Sequence, residues 1–139
     1  MIAVDEIVAP ADVSAARILV VDDDPLNVAL MVRMLARFGY TCCASTLDSR
    51  AVQELQRSNR YDLIILDLRM PGFDGFEVMA ALAEVAGPRP PSVLVTSAEP
   101  DHKKRSLQAG ATGFLSKPYE MANLRSTVRS TLEARLKDS

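Results

Sequence analysis

Short runs of apolar residues alternate along the chain with longer segments in which apolar residues recur every three or four positions. Runs of the first kind are typical of strands buried on both faces, and segments of the second kind are typical of amphipathic helices. The predicted strands are 17–21, 40–45, 61–66, 92–96 and 112–116. The predicted helices are 25–38, 48–58, 75–85, 101–109 and 120–136.

Five strand–helix alternations with short connections predict one α/β domain, with a parallel sheet and helices on both of its faces. We place this domain at residues 17–137. Residues 1–16 show no sustained period and are expected to be a mobile N-terminal lead-in. The first helix is predicted from apolar residues that recur at helical spacing: Leu26, Leu30, Met31, Met34, Leu35 and Phe38.

The stretch 61–75, YDLIILDLRMPGFDG, joins a buried strand to a polar end. Its apolar run stops at Asp67, and the turn-forming residues that follow predict a loop. In open parallel α/β sheets, ligands bind beyond the carboxyl ends of the strands. Asp67 is therefore the residue around which a functional site is expected.

Other predicted strands end in residues of complementary chemistry. Strand one is followed by Asp22 and Asp23, strand four ends at Thr96, and strand five is followed by Lys117. Because parallel strands end at one edge of the sheet, these groups should converge on Asp67. A hard divalent cation, Mg²⁺ or Mn²⁺, would relieve the repulsion of three carboxylates, and a lysine and a hydroxyl suit phosphoryl oxygens. A carboxylate can itself accept a phosphoryl group as an acyl phosphate.

Taken singly, each of these residues has a simpler interpretation. An aspartate at a strand end is commonly a turn former or a helix cap, and Asp24 and Asp74 are expected to act in those ways. Thr96 alone would be a β-prone residue and Lys117 a solvated lysine. Their joint occurrence at strand ends is what favours a site.

Composition and charge narrow the function classes. The 139-residue chain has a formal net charge of −2, so no basic field indicates nucleic-acid binding. No apolar stretch is long enough to span a membrane, and the acidic N-terminus does not resemble a signal peptide. Cys42 and Cys43 are adjacent and poorly placed to bridge each other, so reduced thiols and a cytoplasmic location are expected.

Four motifs, ILVVDDDP, DLIILDLRMPGFDG, VLVTSAE and GATGFLSKPY, follow one another in this order. With them the chain resembles the receiver domain of bacterial two-component response regulators over about residues 17–136. The resemblance implies a doubly wound, flavodoxin-like fold with strand order 2-1-3-4-5. It also implies a phosphorelay signalling domain rather than an enzyme, although one that assists its own phosphorylation and dephosphorylation.

The resemblance assigns roles to the strand-end residues. It makes Asp67 the phosphoacceptor, which takes its phosphoryl group from the phosphohistidine of a histidine kinase or phosphotransfer protein. Asp22 and Asp23 become, with Asp67, the acidic residues that hold Mg²⁺, and the backbone carbonyl of Arg69 becomes a further ligand. Thr96 becomes the hydroxyl that moves to contact the phosphoryl group.

Further roles follow from the same resemblance. Lys117 becomes the cationic partner of the phosphoryl group, with a cis peptide bond to Pro118. Phe114 falls at the aromatic switch position, so its rotation would follow Thr96. The surface of helix four, strand five and helix five would then change for an output partner. Arg69 and Ala98 fall at positions that tune the loss of the phosphoryl group.

Two features depart from the family pattern or stand outside it. Ser97 follows Thr96 where alanine or glycine is frequent, which could narrow access to the acceptor. The basic run 102–105 (HKKR) begins helix four, and it suits either a solvated helix face or a contact for an acidic partner. His102 is the chain's single histidine, so no metal role is expected for it.

Several alternatives stay open at this point. The final helix runs on as TLEARLKDS, so the chain could be the receiver portion of a larger regulator or hybrid kinase, although a stand-alone receiver is favoured. The spacing of Asp22 and Asp24 also suits a haloacid-dehalogenase-like phosphatase, but Leu26 and the lack of an aspartate pair after Lys117 disfavour it. A flavodoxin-like cofactor binder shares the topology, but it would need a Gly- or Ser/Thr-rich phosphate loop after strand one, and the sequence has no such loop there. The output partner is unidentified, and either a monomer or a phosphorylation-dependent dimer is compatible with the sequence.

Overall fold

Every predicted strand and helix is present in the computed structural model, which describes residues 13–137. The strands are β1 (Arg17–Val21), β2 (Cys42–Thr46), β3 (Leu63–Asp67), β4 (Ser92–Ser97) and β5 (Gly113–Ser116). The helices are α1 (Pro25–Arg37), α2 (Val52–Asn59), α3 (Gly75–Ala83), α4 (His102–Gln108) and α5 (Met121–Lys137), and a 3₁₀ turn, Ser49–Ala51, precedes α2. Element ends differ from the predicted ones by a few residues.

The five strands form one parallel sheet in the order β2-β1-β3-β4-β5. This order confirms the predicted doubly wound topology. Because the order reverses between β1 and β3, the loops that follow these two strands diverge to opposite faces and leave a crevice at their carboxyl ends. None of the described helices is both long and apolar enough to cross a bilayer.

Two apolar layers cover the sheet, one on each face. Along β1, Ile18 and Val20 point into the layer under α1 and α5, whereas Leu19 and Val21 point into the layer under α2 and α3. Both faces of the central strands are therefore buried, which is why their sequences are continuous apolar runs. Full burial of each such side chain contributes about 1.5–3 kcal/mol.

Aspartates fix the beginnings of two helices beside the crevice. Asp24 accepts the backbone N–H of Leu26 at 2.9 Å, and Pro25 opens α1, as expected from the sequence. Asp74 caps α3 in a reciprocal arrangement, because it accepts the Glu77 N–H at 3.0 Å while the Glu77 carboxylate accepts the Asp74 N–H at 2.8 Å. These caps set where each loop ends.

The apolar residues that indicate α1 by their spacing are not all buried. Val28, Met31 and Leu35 are buried, whereas Leu26 is 65% and Leu30 is 50% exposed. The apolar arc of α1 is wider than the part that contacts the sheet, so apolar spacing alone includes residues on its open flank. Helical spacing therefore identifies the helix but not its buried face, since Met31 and Leu35 are buried and Leu26 and Leu30 are not.

The N-terminal segment is only partly described. Residues 1–12, which carry most of the predicted lead-in, lie outside the described residues. Val13 is buried in the layer with α1 and α5, and its carbonyl accepts the Ala16 N–H at 3.1 Å. Packing of the domain thus includes residues 13–16, and the predicted boundary at residue 17 stays a prediction.

Candidate functional site

The predicted convergence of strand ends is present in the fold. Asp67 is the last residue of β3, and its neighbour across the sheet is Thr96 on β4. Asp22 follows β1, and Lys117 follows β5. Asp22, Asp67 and Thr96 are all buried. A parallel sheet brings these groups together because its carboxyl ends share one edge.

Three carboxylates form a cluster at this edge. Oxygen atoms of Asp22, Asp23 and Asp67 all lie within 4.8 Å of one another, with Asp23 exposed and the other two buried. The pKa of Asp22 is raised, first by burial and further by the negative charge of Asp67, although the Asp24 N–H, which donates to its Oδ1 at 3.0 Å, opposes this shift. Concentrated oxygen ligands with unrelieved repulsion fit a hard divalent cation such as Mg²⁺.

Lys117 reaches the cluster from the other side. Its Nζ lies 3.1 Å from Oδ1 of Asp67, and its backbone N–H donates to the carbonyl of Ser97 at 2.8 Å. The Lys117–Pro118 peptide bond is cis, the geometry that the resemblance implies. Lys117 is thus tied both to the Asp67 carboxylate and to the end of β4.

The remaining predicted residues take different positions. Thr96 and Ala98 line the cleft above the carboxylates. Phe114 is half-buried against the layer under α2 and α3 and does not line the cleft. Arg69 lies in the loop after β3, where its guanidinium is 3.7 Å from the Glu99 carboxylate at an exposed position.

The loop that carries Arg69 is held close to α3. A Cβ on Gly75 would lie 2.9 Å from Cα of Leu68, so only glycine fits at this helix start. The Gly75 N–H donates to the Leu68 carbonyl at 3.2 Å. This close approach fixes the path of the chain directly after Asp67.

A cleft of about 470 Å³ opens from the carboxylates toward α1 and the start of α5. Its outer walls are largely apolar and include Leu30, Met31, Met34, Pro118 and Tyr119. Leu30, one of the two exposed leucines of α1, therefore lies beside the carboxylate cluster. The cleft therefore combines a charged floor with a largely apolar rim.

Sequence reasoning missed two polar residues of this cleft. Asn27 lines the cleft beside Asp22, and its side chain slightly opposes the rise that burial causes in the pKa of Asp22. The pKa of Tyr119 is raised by burial and further by the charges of Asp22 and Asp67, so its hydroxyl keeps its proton beside the acidic cluster. Both residues lie within a turn of a predicted site residue, and that proximity was the only available signal.

The basic run at the start of α4 divides into two kinds of residue. The His102 ring lies 2.9 Å through Nδ1 from the Ser97 hydroxyl and stands edge-on to Phe76. The Arg105 guanidinium stacks 3.8 Å above the Phe76 ring. Lys103 and Lys104 are exposed and alone fit the interpretation of a solvated helix face.

Comparison with known proteins gives consistent relatives. Residues 18–129 match the response regulator receiver domain family. The transcriptional regulatory protein PrrA of Mycobacterium tuberculosis is 35% identical over 123 residues, which cover 88% of this chain and 52% of PrrA. The sensor histidine kinase RcsC of Salmonella typhi is 31% identical over 111 residues, covering 80% of this chain and 12% of the kinase. The chain thus spans about half the length of PrrA and a small part of RcsC.

A solved structure adds a metal-bound relative. The receiver domain of the sensor histidine kinase PA1611 of Pseudomonas aeruginosa PAO1, described with a magnesium ion in its active site cleft, superposes with a TM-score of 0.75 at 27% identity. The match covers 85% of this chain and 98% of that domain. Sequence, fold and strand-end geometry agree, and this chain belongs to the family of response regulator receiver domains.

Proposed function

We propose that Asp67 accepts a phosphoryl group from the phosphohistidine of a histidine kinase or phosphotransfer protein. The observation that carries this proposal is the contact of Asp67 with Lys117 inside a cluster of three carboxylates that opens to a cleft. A structural ion pair alone would not need two further carboxylates, Asp22 and Asp23, with oxygen atoms within 4.8 Å of the Asp67 carboxylate.

The transfer is an in-line displacement at phosphorus. A carboxylate oxygen of Asp67 forms the new O–P bond while the N–P bond of the phosphohistidine breaks, and the departing imidazole nitrogen keeps the electron pair. The side chain then carries about −1.5 to −2 charges in place of one. The Lys117 ammonium is positioned to balance part of that increase, and the Thr96 hydroxyl on the neighbouring strand is positioned to donate to a phosphoryl oxygen.

The donor set fits Mg²⁺ or Mn²⁺. Asp22, Asp23 and Asp67, with the backbone carbonyl of Arg69, would hold the ion. Such an ion would supply positive charge that offsets the negative charge of the carboxylates and of the incoming phosphoryl group. The magnesium-bound PA1611 receiver domain supports this assignment.

The output of the domain is a change of protein-binding surface. We expect Thr96 and then Phe114 to respond to the charge at Asp67, and the surface of α4, β5 and α5 to change for an output partner. The domain is a cytoplasmic signalling switch, not an enzyme, and it acts without direct nucleic-acid or membrane contact. Receiver relatives occur within longer regulators and kinases, so the same switch could work alone or in a longer protein, as a monomer or as a phosphorylation-dependent dimer.

Intact-protein mass spectrometry after incubation with acetyl phosphate and Mg²⁺ tests the proposal. Wild type should gain the mass of one phosphoryl group, and both Asp67→Asn and a sample with chelated metal should gain none. An adduct that persists in Asp67→Asn, or that forms equally without metal, would overturn the proposal.

A further inference from the structure

A continuous set of contacts leads from the phosphoacceptor to the first residue of α4. Oδ1 of Asp67 is 3.1 Å from Nζ of Lys117. The Lys117 N–H donates to the Ser97 carbonyl at 2.8 Å, and the Ser97 Oγ lies 2.9 Å from Nδ1 of His102. Ser97 also directly follows Thr96 in the chain. A displacement of either Lys117 or Thr96 therefore reaches Ser97.

Ser97 is held too tightly to absorb such a displacement. Its side chain is buried, and its Oγ also accepts the Glu99 N–H at 3.0 Å. A hydroxyl has one proton and two lone pairs, so it can satisfy the Glu99 N–H and the His102 ring at once. The hydroxyl thus joins the end of β4, the following loop and α4.

The His102 ring in turn connects α4, to which it belongs, with α3. The ring meets Phe76 of α3 edge-on at 5.9 Å between centroids, and Arg105, one turn along α4, stacks on the same Phe76 ring. Aromatic and cation–π contacts of this kind are attractive and depend on the relative position of the rings and the guanidinium. Movement of the His102 ring is therefore coupled to the first turn of α4.

We propose that His102 is a positioning residue that transmits the state of Asp67 to α4 through its hydrogen bond with Ser97. The inference rests on the proposed phosphoacceptor role of Asp67. A more highly charged Asp67 side chain attracts the Lys117 ammonium more strongly and also attracts the Thr96 hydroxyl. The resulting displacements of Lys117 and Thr96 shift Ser97. The His102 ring follows Ser97, and α4 follows the ring.

The test measures the α4 response directly. Backbone amide shifts of ¹⁵N-labelled protein are compared with and without beryllium fluoride and Mg²⁺, a stable mimic of the phosphoryl group. His102→Phe keeps a ring against Phe76 but removes the hydrogen bond, and Ser97→Ala removes the hydroxyl. His102→Asn keeps a polar atom near the position of Nδ1, and Lys104→Gln is the control for a charge change on the same helix.

We expect the α4 response to fall by about half or more in His102→Phe and in Ser97→Ala. The double variant should lose no more than the larger single loss, because the bond between Ser97 and His102 is already absent in each single variant. His102→Asn should recover part of the response, and Lys104→Gln should match wild type. A merely structural role would alter the starting spectrum and the stability but leave the size of the response unchanged.

Two failures are distinguishable. If wild type binds beryllium fluoride and both His102→Phe and Ser97→Ala show an undiminished α4 response, the role of His102 is overturned while the phosphoacceptor proposal stands. If wild type shows neither a beryllium fluoride response nor a phosphoryl adduct by mass, the phosphoacceptor proposal fails, and the role of His102 fails with it. If one of the two variants folds poorly, an undiminished α4 response in the other is sufficient to overturn the role of His102.

Discussion

The Lys117 ammonium lies 3.1 Å from Oδ1 of Asp67, and the two side chains are only 29% and 9% exposed. Water and salt therefore screen this pair less than they screen a surface ion pair. The pair also bridges the two ends of the site, since Asp67 closes β3 and Lys117 follows β5. Replacing Lys117 is therefore the most direct way to test how a positive charge beside Asp67 affects phosphorylation.

Replacing Lys117 by methionine removes the charge but keeps most of the side-chain volume. We expect the rate of phosphorylation by acetyl phosphate to fall about tenfold or more, because a charge-assisted contact to the developing phosphoryl charge is lost. Intact mass followed over time gives the rate. Lys104→Gln removes one positive charge at an exposed position of α4 and should keep the wild-type rate. Equal rates in Lys117→Met and wild type would contradict the role of Lys117.

Replacing Asp22 in the carboxylate cluster should weaken metal binding but stabilise the metal-free protein. Asp22→Asn should weaken Mg²⁺ binding about tenfold or more, because an oxygen anion of the donor set is lost. Without metal the same change should raise the thermal unfolding midpoint, since burial raises the pKa of Asp22 and a neutral amide removes its repulsion with Asp67.

Amide shifts during a Mg²⁺ titration, together with thermal unfolding in a chelator, measure both effects of Asp22→Asn. Asp24→Asn is the matched control, because asparagine caps a helix as well as aspartate does and Asp24 lies outside the cluster. Unchanged Mg²⁺ affinity in Asp22→Asn would remove Asp22 from the proposed ligand set.

Leu35 and Leu26 lie on the same helix but differ in burial, so replacing them should change the free energy of unfolding by different amounts. Leu35→Ala should lower the free energy of unfolding by about 2–5 kcal/mol, because Leu35 is fully buried. Leu26→Ala should change it by no more than about 0.5 kcal/mol, because Leu26 faces solvent. Urea denaturation of both variants decides. Similar losses of unfolding free energy in the two variants would show that Leu26 is buried as well as Leu35.

The two adjacent cysteines should react at different rates. Cys42 is exposed, whereas Cys43 is half-buried and its pKa is raised by burial and, to a lesser degree, by Cys42. A raised pKa leaves less of the reactive thiolate at neutral pH, and the thiolate appears only as pH rises.

With an aromatic disulfide reagent at pH 7.5, the variant Cys42→Ser, which retains Cys43, should react about threefold or more slowly than Cys43→Ser. The gap should narrow as pH is raised. Equal rates at neutral pH would show that Cys43 is as accessible and as ionised as its neighbour.

Much of the site could be predicted because its geometry follows from topology. Once alternation indicates a parallel sheet, Asp22, Asp67, Thr96 and Lys117 must meet at one edge, and the order of strands follows from the family resemblance. The buried face of α1 could not be predicted, because Leu26 and Leu30 have helical spacing whether they face a core or lie on the open flank of the helix.

Contacts between helices were also beyond sequence reasoning. The bond between Ser97 and His102 and the stacking of Arg105 on Phe76 depend on how close α3 and α4 approach, which no local pattern encodes. Tyr119 is a similar case, since its position over the carboxylates depends on the path of the chain after the cis bond to Pro118. The unrecognised residues are those whose role lies in tertiary packing.

The most direct test of the central claim is to locate the phosphoryl group chemically in the unmodified sequence. Borohydride reduces an acyl phosphate to an alcohol and so converts a phosphorylated aspartate to homoserine. Protein treated with acetyl phosphate and Mg²⁺ is reduced, digested and mapped by mass spectrometry. Homoserine is expected at position 67 and at no other aspartate position. Homoserine at position 22 or 23, or a borohydride-resistant phosphate elsewhere, would contradict it.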